Sequence, residues 1–353
     1  MSLSSTIASP STPSTILGFT RYATFDVAII TRPVDILNNQ QCVIKSLTLL
    51  ILLFLSILIY YLNNHCKKVR IKVYCKMVIY FHKVGVLMLS NIHTHSVFCD
   101  GENTPEEIVL TAIKNGFVSI GFSSHAFTDF AEPFGVDDFE DYIKTLKELK
   151  NKYRNDIQIY VGIEEDALAP IKNRNAFDYI IGSHHYIKLD GKIYPLDIEF
   201  STYKKILSLF DSSERFAENY YSTFCDYILK YNPTIIGHFD LLTKFDEQDG
   251  NLLLSDERYN KVAEKYMKVA IKSQSFFEVN TGAISRGYRT SPYPSESLLH
   301  ILKKENAKIV LNSDAHVKEN LSFGFKETKE LLRDIGFKHT YILYNNEFIK
   351  QEL

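Results

Sequence analysis

Asn91-Ile92-His93-Thr94-His95-Ser96-Val97-Phe98-Cys99-Asp100-Gly101 reads as a short apolar run that ends in an H-x-H pair and a tight Asp-Gly turn. The same punctuation recurs downstream. Ser123-Ser124-His125, Gly162-Ile163-Glu164, Gly182-Ser183-His184-His185, Gly237-His238-Phe239-Asp240 and Ser313-Asp314-Ala315-His316 each close another β-like run. In an extended strand residues i and i+2 share a face, so His93 and His95 point one way together, and Asp314 and His316 do the same. Imidazole and carboxylate suit Zn, Fe or Mn, and no thiolate recurs in the set. A lone H-x-H pair carries little, whereas a ligand cluster at the end of run after run points to a metal centre.

Seven apolar runs read as strands, at 90–93, 118–123, 157–163, 178–183, 234–238, 275–280 and 308–313. Helical patterns separate them. The clearest opens at Thr104-Pro105-Glu106-Glu107, with Thr at the N-cap, Pro at the first helical position and Glu completing a capping box. Further helices are expected near 137–153, 202–231, 255–273, 294–305 and 325–335. Alternating strands and helices imply a mostly parallel sheet. Seven or eight such units in the last 265 residues suggest a closed β/α barrel, since the eight-fold type takes about 250 residues. Barrel active sites lie at the C-terminal ends of the strands, where these His, Asp and Glu residues fall.

The first ninety residues have a different character. Residues 1–88 hold nine Lys and Arg against two acids, Asp26 and Asp35, for a net +7, and the remaining 265 carry −9. The organisation therefore reads as a Ser/Thr/Pro-rich disordered segment at 1–45, an uncharged apolar run at 46–62, a basic linker at 63–88 and a metal-dependent domain at 89–353. Seventeen apolar residues stand at the lower limit of a membrane-spanning helix. Lys67, Lys68, Arg70, Lys72 and Lys76 follow it, which would put the C-terminal side in the cytoplasm. Two readings stay open: an anchor holding a cytoplasmic enzyme to a membrane, or an extended start in which translation begins at Met77 or Met88. Cys42, Cys66, Cys75, Cys99 and Cys225 are odd in number and form no C-x-x-C pair. That argues against a disulfide scaffold and for the reducing cytoplasm. The folded part has no basic stripe, so nucleic-acid binding has little support.

His93-Thr94-His95 with Asp100-Gly101, Ser-Ser-His125, Gly-Ile-Glu164 and the closing Ser-Asp314-Ala-His316 resemble the polymerase-and-histidinol-phosphatase (PHP) family. Gly182-Ser183-His184-His185-Tyr186-Ile187, Gly237-His238-Phe239-Asp240, Glu278-Val279-Asn280-Thr281-Gly282 and Tyr293-Pro294-Ser295 resemble its histidinol-phosphate phosphatase branch. The resemblance covers about residues 89–345. It implies a distorted seven-stranded β/α barrel, two or three divalent metal ions (Zn, Fe or Mn) and hydrolysis of L-histidinol phosphate to L-histidinol and phosphate. Carried over residue by residue, the implied ligands are His93, His95, Asp100, His125, Glu164, His185, His238, Asp314 and His316. His184 precedes the matching histidine, and adjacent strand residues face opposite ways, so His185 takes the role.

Metal ions a few ångströms apart clamp phosphoryl oxygens and activate water, so no side-chain nucleophile is required. A phosphate dianion also calls for cations, and Arg286 and Arg289 follow the sixth strand, where a guanidinium fork suits phosphate oxygens. Asp240 is a candidate to orient a ligand or protonate the leaving group. Histidinol is itself cationic, so Asp129, Glu132 or Asp166 are candidates to receive it. Three alternatives compete: a PHP-type phosphoesterase acting on another small phosphomonoester or nucleotide, a metal-dependent amidohydrolase, and a non-catalytic metal-binding scaffold. An amidohydrolase usually relies on a carboxylated Lys or a lone late Asp. Here Asp314 comes paired with His316. The oligomeric state is not legible.

Overall fold

Parallel pairing of short apolar strands organises the described residues. The computed structural model describes residues 88–130 and 135–353. The stretches 1–45, 46–62 and 63–87, and Glu132 among the candidate substrate residues, lie outside the described residues. Strands β1 (Leu89–Asn91), β2 (Phe117–Phe122), β3 (Gln158–Asp166), β4 (Tyr179–Ser183), β7 (Ile235–Ile236), β8 (Phe276–Asn280), β9 (Ile309–Asn312), β10 (His339–Tyr344) and β11 (Glu347–Glu352) form one nine-stranded sheet in that order. Every neighbouring pair is parallel except β10 with β11. The hairpin β5 (Tyr186–Leu189) and β6 (Lys192–Pro195) stands apart as a two-stranded sheet. Beyond β1 and β9 the chain pairs once more, in a parallel bridge between Thr94 and Ala315. His95 N–H donates to Ala315 O at 2.9 Å, and Ala315 N–H to His93 O at 3.2 Å.

Helices fill the crossovers as the periodicity predicts. The helix α1 (Pro105–Lys114) carries the expected capping box, with Glu107 N–H donating to Thr104 Oγ1 and Thr104 N–H to the Glu107 carboxylate. It is followed by α2 (Phe139–Lys152), α3 (Phe200–Leu207), α4 (Ser213–Tyr231), α5 (Glu257–Ala270), the short α6 (Gly282–Ser285), α7 (Glu296–Lys304) and α8 (Phe325–Ile335). The single helix expected over 202–231 is two. Ser212 breaks it, because its hydroxyl accepts the Arg215 N–H and caps a fresh helix instead of continuing the old one.

Two hairpins also differ from the expected seven strands. Asp190 and Gly191 turn β5 into β6 with φ of +49° and +78°, and Asn345 and Asn346 turn β10 into β11 with φ of +53° and +61°. These are turn residues whose left-handed conformations match the twist of paired strands. Among the described residues, no helix is long and apolar enough to cross a membrane.

Tyr179 closes the interior beneath the strand ends. Its ring lies against Gly121 and Gly162, where a Cβ at either position would collide with it. Its hydroxyl donates to Ile92 O at 2.6 Å and Phe122 O at 3.1 Å. With Ile92, Tyr160, Ile181, Ile235, Val310 and Leu343 it forms a dry floor, and the polar cluster sits above that floor.

Candidate metal centre

The sheet brings the predicted ligands to one place because each follows, or ends, a parallel strand. His93 and His95 follow β1, His125 follows β2, Glu164 lies in β3, His185 follows β4, His238 follows β7, and Asp314 and His316 follow β9. Pairing of the β2 extension with β3 fixes two of them side by side: His125 bridges Glu164, and Glu164 N–H donates to Ser124 O at 3.1 Å.

Glu164 is the hub. Its Oε2 lies 3.0 Å from His125 Nδ1, 3.3 Å from His93 Nε2 and 3.6 Å from His95 Nε2. Its Oε1 lies 3.0 Å from His238 Nε2 and 3.4 Å from His185 Nε2, and accepts the Ser183 hydroxyl at 2.5 Å. Asp314 is a second hub, with Oδ1 at 3.1 Å from His95 Nε2, 3.5 Å from His93 Nε2 and 3.6 Å from His316 Nδ1. Asp100 faces His316 Nε2 at 3.2 Å and His125 Nε2 at 3.7 Å. Three donor sets result: His95, Asp100, His125 and His316; His93, His95 and Asp314; His125, Glu164 and His185.

His93 Nε2, His95 Nε2 and Glu164 Oε2 are buried and lack a hydrogen-bond partner. Buried polar atoms are rarely left so, and atoms of this kind facing one another are what bound cations would satisfy. The donor set therefore fits two or three divalent ions of the Zn, Fe or Mn type. Burial first, then His316 and His125, push His95 down to about 3, which keeps its imidazole in the neutral, ligating form. Burial works to raise Glu164 and Asp314, yet His93 and His125 beside the first, and Arg286 and His93 beside the second, hold both carboxyls well below their ordinary range.

Two carboxylates that sequence reasoning did not assign to this role hold the ligands in place. Glu278 Oε1 lies 2.6 Å from His93 Nδ1, and the same carboxylate accepts the Asn312 and Asn280 amides at 2.9 Å and the His238 N–H at 3.0 Å. The run 275–280 was read as a strand whose end, from Glu278 to Gly282, resembles the family, but Glu278 itself was given no role. Asp166, a candidate for receiving the substrate cation, accepts the His185 N–H at 2.8 Å, lies 3.3 Å from His185 Nδ1, and takes the Leu168 N–H on its other oxygen at 2.8 Å. Such carboxylate–histidine contacts set the tautomer and ring orientation of a ligand.

The remaining candidates distribute unevenly. Arg286 reaches the centre, with Nη2 donating to Asp314 Oδ2 and Nη1 to Asp314 O, both at 3.0 Å. Arg289 is buried against the Tyr293 ring, 4.5 Å from guanidinium to ring centre, and donates to Thr243 and Ser291. Asp240 is fully buried, with Oδ2 accepting the Ser295 N–H at 2.8 Å and Oδ1 without a partner. Asp129 is exposed. Lys244, which the sequence reading did not single out, is buried and lies 4.8 Å over the Tyr288 ring.

His184 turns away from the centre onto Tyr220 and Phe224, as strand alternation requires. His300 and His339 stand outside the centre: His300 pairs with Glu296 and His339 packs on Tyr341. Burial and the Asp100 charge raise the Cys99 thiol to about 12, so it stays protonated beside His95.

An α/β fold whose parallel strands end in a shared imidazole–carboxylate cluster defines a metal-dependent hydrolase. The chain belongs to the PHP domain family, which matches residues 91–282. It is 26% identical over 267 residues to a probable histidinol-phosphatase of Schizosaccharomyces pombe, covering 69% of this chain and 86% of that one. It is also 26% identical over 258 residues to a histidinol-phosphatase of Bacillus subtilis, covering 66% and 96%. The fold matches a histidinol phosphate phosphatase of Lactococcus lactis complexed with Zn, L-histidinol and phosphate, with a TM-score of 0.58, 19% identity, and coverage of 74% and 98%.

Proposed function

We propose that this chain is a histidinol-phosphatase, hydrolysing L-histidinol phosphate to L-histidinol and phosphate with two or three divalent metal ions. One observation carries the reading: three donor sets converge on Glu164, Asp314 and Asp100, in a chain whose relatives are named histidinol-phosphatases. His93, His95, Asp100, His125, Glu164, His185, His238, Asp314 and His316 would hold the ions. Bound there, the ions would neutralise phosphoryl oxygens and make a water acidic enough to ionise near neutral pH.

The chain's own residues do the rest. Glu278 and Asp166 orient His93 and His185. Arg286, and Lys244 beside it, supply fixed positive charge for the phosphate. Arg289 and Asp240 brace the Tyr293–Ser295 turn, which packs behind His238, the Tyr293 and His238 rings lying 6.2 Å apart. The bridge between Thr94 and Ala315 supports reading β1–β4 and β7–β9, seven of the eight strands that pair in parallel, as a distorted barrel closed on itself. The free thiols of Cys99 and Cys225 favour a reducing compartment, and we assign the phosphatase domain to the cytoplasm.

Phosphate release from L-histidinol phosphate, measured after metal reconstitution beside nucleotides and sugar phosphates, tests the reading. The full chain and a chain beginning at Met88 are both assayed. Selective turnover of L-histidinol phosphate is expected from both, and preference for another ester would keep the metal chemistry and remove this substrate. His93→Ala and Asp314→Ala should each lose metal and activity together.

A further inference from the structure

Away from the metal centre, α8 presents a lysine where its spacing calls for an apolar residue. Phe325, Thr328, Lys329 and Leu332 stand at i, i+3, i+4 and i+7 and are the buried residues of the helix. Lys329 therefore holds a core position, and it is 7% exposed. Below the helix, Thr340 of β10 and Gln351 of β11 are direct cross-strand partners. Lys329, Thr340 and Gln351 line one narrow cavity with Ser90, Leu311 and Phe325, with room for about one occupant of water size.

Two donors meet there without acceptors. Gln351 is 6% exposed, and its Nε2 is buried without a hydrogen-bond partner. Among the described residues, no carboxylate pairs with the Lys329 ammonium, and the charge that acts on it is that of Arg333, one helical turn on. An ammonium has three donors and no acceptor, and a side-chain amide nitrogen has two donors. Buried donors left so cost free energy, and a buried cation without a counter-charge costs more. One anion between them would satisfy both. The narrowness of the cavity limits its class: phosphate and carboxylate groups are too large, whereas chloride is close to water in size. Water would meet the hydrogen-bonding need but leave the positive charge of Lys329 and Arg333 uncompensated.

We infer that this cavity is a binding site for a chloride-sized monovalent anion, held between the Lys329 ammonium and the Gln351 amide. Its lining joins β1, β9, α8 and the β10–β11 hairpin, so the ion would tie the last helix to the strands it covers. The site shares no residue with the metal centre, and the inference does not depend on the phosphatase reading.

The test follows thermal unfolding of the metal-loaded full chain in sodium chloride and in sodium gluconate at constant ionic strength. Wild type, Lys329→Met and Gln351→Leu are compared. Chloride should raise the wild-type midpoint by roughly 2–4 °C and then saturate, as binding to the folded state requires. Lys329→Met should not respond to chloride, whatever its own stability. Gln351→Leu should respond only at roughly 10-fold higher chloride, the scale of one hydrogen bond to a charged group. In crystals grown in sodium bromide, an anomalous peak should lie between Lys329 Nζ and Gln351 Nε2. Chloride acting at the metal ions instead would stabilise Lys329→Met as much as the wild type, and that result would overturn the inference, as would an unresponsive wild type. A water molecule, or a carbonyl of the chain preceding Met88, in place of the bromide peak would overturn it as well.

Discussion

Gly282 leaves the space that Asp314 occupies. A Cβ on Gly282 would stand 2.7 Å from Asp314 Oδ2, 2.9 Å from Asp314 Cβ and 2.9 Å from Arg286 Nη2. Asp314 itself adopts φ of +48°, a left-handed conformation that is strained for a side-chain-bearing residue and that turns its carboxylate toward His95 and His93. Gly282→Ala should therefore push the carboxylate out of register. We expect a stability loss of about 1–3 kcal/mol, together with reduced metal content by elemental analysis. Wild-type metal content and turnover in this variant would show that the site yields at no functional cost.

Glu278 should tune the centre without being a ligand. Replacing it with Gln keeps shape but removes the charge that faces His93 Nδ1 at 2.6 Å. Metal affinity in Glu278→Gln should fall roughly 10- to 100-fold, and activity should recover at high metal concentration. Competition with a chelator of known affinity measures this directly, and an unchanged affinity would refute the orienting role.

Arg286 is joined to the ligand shell more closely than a simple phosphate clamp would be. Because it donates twice to Asp314, Arg286→Ala should lower kcat/KM and also weaken metal retention. Loss of a charge-assisted hydrogen bond sets the scale at roughly 10- to 100-fold in kcat/KM. Intact metal binding after dialysis, with KM raised, would instead restrict Arg286 to the substrate.

Lys329 offers a pH-dependent stability test far from the chemistry. It is 7% exposed, and burial, helped by Arg333, brings its ammonium down to about 8 from the ordinary 10.5. A lysine with its pKa lowered in the fold is bound more tightly by protons in the unfolded chain. Stability contributed by this group should therefore rise between about pH 8 and 10.5, and the full penalty should apply below that window. Lys329→Met should gain about 1–2 kcal/mol at pH 7 and lose that rise, as read by urea unfolding across the pH range. A variant no more stable than the wild type at pH 7 would mean that the ammonium reaches water.

Much of the fold was legible because strand ends and helix starts are local matters. The Thr104 capping box opens α1 where periodicity places it, and apolar runs such as 157–163 and 308–313 became β3 and β9. The hairpins carried a readable signal in Asp190-Gly191 and Asn345-Asn346, which the search for β/α units passed over. The break at Ser212 depended on a hydroxyl choosing a new cap over a continuing helix, a competition of small energies that periodicity does not resolve.

The sequence by itself marked the candidate ligands, because nearly all of them sit at the end of an apolar run and a parallel sheet must bring such ends to one face. What only the tertiary structure decided is which groups support them. His93 meets Glu278 across 185 residues, Asp197 meets Lys244 across 47, and Arg286 meets Asp314 across 28. No periodicity encodes those distances. They follow from the order in which the strands close and from the few ångströms over which a buried charge must find its partner.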